Sequence, residues 1–138
     1  MPAFVKSVKE ASQGYGSSAN NGSIIGNAVG AGATTMTIPA TGATTPSGGT
    51  AFNTNGGPPP TRGRGRIRAT SVVGTSQFSV TVTDGVSTLI VFASPTFTAA
   101  TSVDITYEFN TDLSITSTTM TETIGTSATI DWEVSMTP

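Results

Sequence analysis

The chain has 138 residues, with 6 basic and 8 acidic side chains, no cysteine and no histidine. Disulfide staples are therefore excluded, and the commonest general base and metal ligand is missing. Only 10% of the residues are charged and 36% are hydrophobic, below the usual apolar share, and one domain is the default at this length.

The opening Met1-Pro2-Ala3-Phe4-Val5-Lys6 lacks the long apolar run of a secretory signal. No segment approaches the roughly 20 apolar residues of a membrane span. The expectation is a chain made and folded in a cytoplasm, with no membrane partner. Residues 3–11 read as an anchoring segment, either one helical turn or a short strand. From Ser12 to Ala33 the chain is mostly Gly, Ser, Ala and Asn, with Tyr15, Ile24, Ile25 and Val29 as isolated hydrophobes. So little apolar surface does not offset the ordering entropy of the backbone. Two readings stay open: a disordered tail, or an arm that orders on a partner through those hydrophobes and Phe4. Thr34-Thr35-Met36-Thr37-Ile38 alternates as a short strand stopped by Pro39. Pro46, Gly48-Gly49, Gly56-Gly57 and Pro58-Pro59-Pro60 then mark 40–61 as a loop or semi-rigid linker. Residues 1–61 are thus expected to be an extended arm and linker, with a possible strand at 34–38, and 62–138 a β domain.

Arg62-Gly63-Arg64-Gly65-Arg66-Ile67-Arg68 holds every arginine. In an extended strand, side chains alternate between faces, so the four arginines share one side. A helix would scatter them and carry two interior glycines at roughly 1 kcal/mol each. Residues 1–68 hold six cations and one anion, net +5; residues 69–138 hold seven anions and no cation, net −7.

The arginine strand should run from Arg64 to Val73. Gln77–Thr83 alternates with Phe78, Val80 and Val82 on one face. Asp84-Gly85 predicts a type I′ hairpin turn, which needs positive φ at both positions. The following Val86–Phe92 is apolar on both faces and is expected to be a central strand. Val103–Phe109 alternates with its acids outward, and Leu113–Ile124 is a weaker, Thr-rich strand or pair. Ala128–Met136 alternates again, with Ala128, Ile130, Trp132, Val134 and Met136 inward and Asp131 and Glu133 outward. The fold class is all-β: a small antiparallel sandwich or barrel of five or six strands from Arg64 to Met136. So small a core, without disulfide or metal, points to oligomerisation.

Catalytic chemistry is sparse. No histidine activates the serines, and both lysines lie in the N-terminal segment. Asp104/Glu108 and Asp131/Glu133 are the only paired carboxylates, each on one strand face among threonines, where solvated acids are the common outcome. No calcium loop, phosphate loop or dinucleotide fingerprint is present. No enzyme activity, metal or cofactor is expected. The arginine comb has three readings: nucleic-acid binding, ion pairing with neighbouring strands, and docking on an acidic patch of a neighbouring subunit or host surface. The first is disfavoured, since the comb has no aromatic neighbour and the chain is acidic overall. The candidate partner-binding residues are therefore Arg62, Arg64, Arg66, Arg68, Phe4, Tyr15, Ile24 and Ile25. The complementary acidic face is Asp104, Glu108, Asp131 and Glu133, expected on identical neighbours.

A chain of this size without Cys or His, rich in Thr, Gly and Ser, with an N-terminal arm before a β domain, resembles small virion proteins of tailed bacteriophages. It is closest in style to capsid decoration (cement) proteins. That resemblance implies a β-rich, often trimeric, non-enzymatic protein on the outside of a phage head, bridging major capsid proteins, found in the virion after synthesis in the host cytoplasm. The alternative is a tail or fibre component, or a host-surface or carbohydrate-binding module, which would want an exposed aromatic platform.

Overall fold

The described residues form eight strands, several of them marked by alternation of polar and apolar residues. They are β1 (Ile24–Gly30), β2 (Thr35–Pro39), β3 (Arg62–Thr70), β4 (Gln77–Thr83), β5 (Thr88–Ala93), β6 (Ser102–Asn110), β7 (Ser117–Thr123) and β8 (Thr129–Thr137). The computed structural model describes residues 24–30, 35–46, 49–53, 56–98, 102–123, 125, 127 and 129–138. The anchoring segment 3–11, Phe4, Tyr15 and the inward position expected for Ala128 lie outside the described residues.

Two antiparallel four-stranded sheets, ordered β1-β8-β3-β6 and β2-β7-β4-β5, pack face to face as a sandwich. Of the consecutive strands, only β4 and β5 stay in one sheet as neighbours; every other connection crosses between layers. β1 and β2 stack along one side of the sandwich, β5 and β6 along the other.

The core is what the period-2 pattern demands. Ile67 and Ala69 from β3, Phe78, Val80 and Val82 from β4, and Met120 from β7 point inward. Ile130, Trp132, Val134 and Met136 from β8 complete the opposite wall. Trp132 sits opposite Ile67 in register and is fully buried.

Four expectations are corrected. First, Ile24 to Gly30 is a sheet strand rather than part of an arm, pairing antiparallel with β8 from Ile24↔Met136 to Gly30↔Ile130. Its backbone pairs with β8 along one side, a contribution that a tally of hydrophobic residues does not register. Second, 40–61 is not a linker. Phe52 is 0% exposed, and its N–H donates to Pro39 O while Asn53 N–H donates to Ala40 O. Ile115 N–H donates to Pro60 O, tying the triple proline to the body. Buried Phe52, Ala51 and Thr44 together with these backbone bonds hold the described part of this Gly/Pro-rich stretch on the sandwich.

Third, β5 is an edge strand, not a central one. Its apolar run is only partly covered: Leu89 is 44% exposed and Ile90 72%. The register slips between Val80↔Phe92 and Thr81↔Ile90, so Val91 is the extra residue of a bulge. Fourth, the β4–β5 hairpin forms, but its turn is not type I′. Thr83 and Thr88 close a four-residue loop, and of Asp84 and Gly85 only Gly85 has positive φ, at 97°. Asp84 acts through its side chain instead, one carboxylate oxygen accepting the N–H groups of Val86 at 2.8 Å and Ser87 at 2.7 Å. Those two N–H donors hold the Asp84 carboxyl below its ordinary range.

Space around Gly85 is open, so a side chain there meets backbone strain and no clash. Gly85→Val is expected to cost about 1–3 kcal/mol, the penalty of a left-handed conformation for a β-branched residue. Urea unfolding checks this against Val86→Ala, at a 93% exposed neighbour, which should leave stability unchanged.

Candidate functional site

The outward face of the first sheet is where the charged residues gather. β3 lies between β6 and β8, and its register sets three rows of side chains next to one another. Arg62 stands between Asn110 and Thr137, and Arg64 between Glu108 and Ser135. Arg66 stands between Thr106 and Glu133, and Arg68 between Asp104 and Asp131. The four arginines do share one face, as alternation requires. All four acids of the expected complementary face, Asp104, Glu108, Asp131 and Glu133, lie on that same face of the same chain.

The ion pairs are therefore intramolecular. Arg66 forks onto Asp104, Nε to Oδ1 at 2.9 Å and Nη2 to Oδ2 at 2.7 Å. Arg68 Nη2 reaches Asp131 Oδ2 at 2.6 Å and Glu133 Oε2 at 3.6 Å. Arg62 Nε donates to the Thr137 hydroxyl at 3.2 Å. The Arg66 guanidinium holds the Asp104 carboxyl below its ordinary range, chiefly through the hydrogen bonds, and Asp104 in turn raises Arg66. These pairs are half-exposed and hence screened by salt. Ile24 and Ile25, from the expected partner-binding set, lie in β1 opposite Met136 and Ser135.

The inner side of β3 explains why glycines separate the arginines. Gly65 faces Tyr107 across the β3–β6 pair, and the Tyr107 ring occupies the space that a β-carbon at Gly65 would fill. Gly63 likewise makes room for Met136. Tyr107 stacks on Phe92 of the other sheet, centroids 4.8 Å apart, and its hydroxyl accepts the Trp132 Nε1–H at 2.9 Å. Burial pushes the Tyr107 phenol well above its ordinary range. The Arg-Gly alternation is thus charge on one face and aromatic clearance on the other.

One buried polar group is not legible as such in the sequence. Glu122 lies on the core face of β7, its Oε2 accepting from Ser76 Oγ at 2.8 Å and Ser127 Oγ at 2.7 Å. Its Oε1 is buried without a hydrogen-bond partner. The alternation Thr118-x-Met120-x-Glu122 is the available signal, obscured by the run of threonines. Among the described residues no group of three or more His, Cys, Asp or Glu is placed to hold a metal ion. Comparison with protein-family models, curated proteins and solved structures finds no match to this chain.

Both kinds of paired group have measurable consequences. Tyr107→Phe removes the acceptor of a buried indole N–H and should cost about 1–3 kcal/mol, measurable by denaturant titration. A carboxyl whose folded value is depressed stabilises above its unfolded value, near 3.9, and loses that contribution as pH falls through the folded one. The thermal midpoint should therefore drop below about pH 4 as Asp84 and Asp104 take up protons. Asp104→Asn should make that drop shallower in scanning calorimetry.

Proposed function

We propose that this is a non-enzymatic structural protein of a virus particle, of the capsid decoration kind, which associates with copies of itself and with a shell protein. The observation that carries the reading is the state of the outward carboxylates. Asp104 and Asp131 are tied to Arg66 and Arg68 on an open sheet face, with Glu133 3.6 Å from Arg68. Such a face matches charge with charge across a broad surface. The carboxylates of Asp104, Asp131 and Glu133 are thereby held as counter-ions to arginine rather than set apart for acid–base work. Binding to nucleic acid is disfavoured on the same ground, because residues 24–138 carry four arginines against seven acids, net −3. A sugar-binding role is weakened as well, since the large exposed hydrophobes among the described residues are all aliphatic: Val73, Val86, Leu89 and Ile90.

Electron microscopy of purified particles labelled with antibody against the chain tests the proposal. Labelling regularly spaced over the head is expected. Labelling confined to tails or fibres, or absence of the chain from particles, overturns it.

A further inference from the structure

The ladder on the first sheet is satisfied at only one end. Arg64 and Glu108 occupy directly opposed positions on β3 and β6. Among the described residues, however, the ion pairs engage Arg66, Arg68, Asp104, Asp131 and Glu133 and leave Arg64 and Glu108 without a partner. Arg62, next along the row, reaches only a hydroxyl. These three side chains, with Asn110, Ser135 and Thr137, line one shallow groove. A guanidinium fork and a carboxylate are thus held side by side in the open, on a strand pair tied further along by Arg66 and Asp104.

We propose that the β3–β6 face binds a second copy of this chain, with Arg64 of each copy paired to Glu108 of the other. Charge complementarity selects this occupant. A phosphate or a polyanion entering the groove meets Glu108, whereas a partner offering both a carboxylate and a guanidinium satisfies both groups. The same face supplies that combination. The β3 row reads Arg62, Arg64, Arg66, Arg68, and the β6 row beside it reads Asn110, Glu108, Thr106, Asp104. A two-fold axis running along the strands between these rows lays each arginine row over the β6 row of the second copy. Arg64 then meets Glu108 twice, and Arg62 donates to the Asn110 carbonyl. Such an isologous contact closes at two copies. β6 is the edge of its sheet, so no further strand of that sheet obstructs the approach on that side.

This inference rests on the self-association part of the function proposed above, and it replaces the trimer implied by the resemblance with a two-fold contact. An interface this small and this ionic is weak and salt-sensitive. Sedimentation velocity of the full chain at high protein concentration and low salt is the measurement. Wild type is expected to dimerise, with the dimer fraction falling as salt is added. Arg64→Glu and Glu108→Arg should each weaken the dimer by about tenfold or more, since each sets like charges against one another, while thermal unfolding of the monomer stays intact.

Mixing the two single variants should then restore a one-to-one dimer. The carboxylate introduced at position 64 of one copy faces the guanidinium introduced at position 108 of the other. At the second contact the unaltered Glu108 and Arg64 face each other as in wild type. Pairing within one chain does not predict that rescue. Single variants that keep the wild-type mass, or a mixture that stays monomeric, overturn the proposal. Loss of the dimer in Ile90→Lys with Arg64→Glu unaffected also overturns it and assigns the contact to the exposed β5 edge. A wild-type trimer indifferent to Arg64→Glu overturns the two-fold contact and leaves self-association standing. A wild-type monomer overturns both. Duplex DNA binding that Arg64→Glu abolishes without a change in mass overturns it in favour of nucleic acid.

Discussion

Four arginines at alternate positions of an interior strand repel one another, and the fold depends on how that repulsion is met. β3 has β6 on one flank and β8 on the other, and both strands turn carboxylates toward the arginine row. Placing β3 at the sheet edge would leave one flank without acids. Shifting β6 or β8 by one residue would turn their acids into the core and their hydrophobes outward. Charge on the outer face and Trp132, Tyr107 and Ile67 on the inner face therefore specify the same register. That agreement between surface and core is what makes one strand order preferable to its alternatives.

The inner face adds a steric condition. Tyr107 lies over Gly65, stacks on Phe92 of the second sheet and accepts the Trp132 N–H. It thus joins β3, β6, β8 and β5 in one contact, at the side where both sheets end. Glycine in a strand normally weakens it, and the aromatic ring laid across the gap recovers the lost packing. Gly65 and Tyr107 are consequently one structural unit, and neither tolerates change independently of the other.

The strands with strict alternation, Gln77–Thr83, Val103–Phe109 and Ile130–Met136, are legible in the sequence because burial on one face imposes a period of two. So is the single face of the arginines. Two other features are not legible. The position of β5 is lost because an apolar run resembles a central strand whether or not anything covers it. In the structure Leu89 and Ile90 stay exposed at an edge. The contribution of 24–61 is lost because composition counts hydrophobes but not backbone hydrogen bonds. β1 is held by pairing with β8, and the 40–61 loop by Phe52 and a few N–H donors. For the site, the partner type of the arginines is readable, since carboxylates are the only anions available. Which arginines remain free is not, because that depends on diagonal reach across strands.

The two outer faces of the sandwich differ in kind, and the difference bears on assembly. The second sheet carries Thr37, Thr119 and Thr81 in one cross-strand row ending at Ile90, with Thr37 and Thr119 hydroxyls 3.0 Å apart. Its outward positions hold no charged residue. Such a face loses little on contact with another surface, but it discriminates poorly between orientations, because one threonine row resembles the next. The first sheet discriminates well. Its charges differ in sign from strand to strand, so a sideways shift by one strand sets the arginine row of one copy against that of the other. A contact made through the arginine face therefore fixes orientation, whereas one made through the hydroxyl face adds area without dictating register.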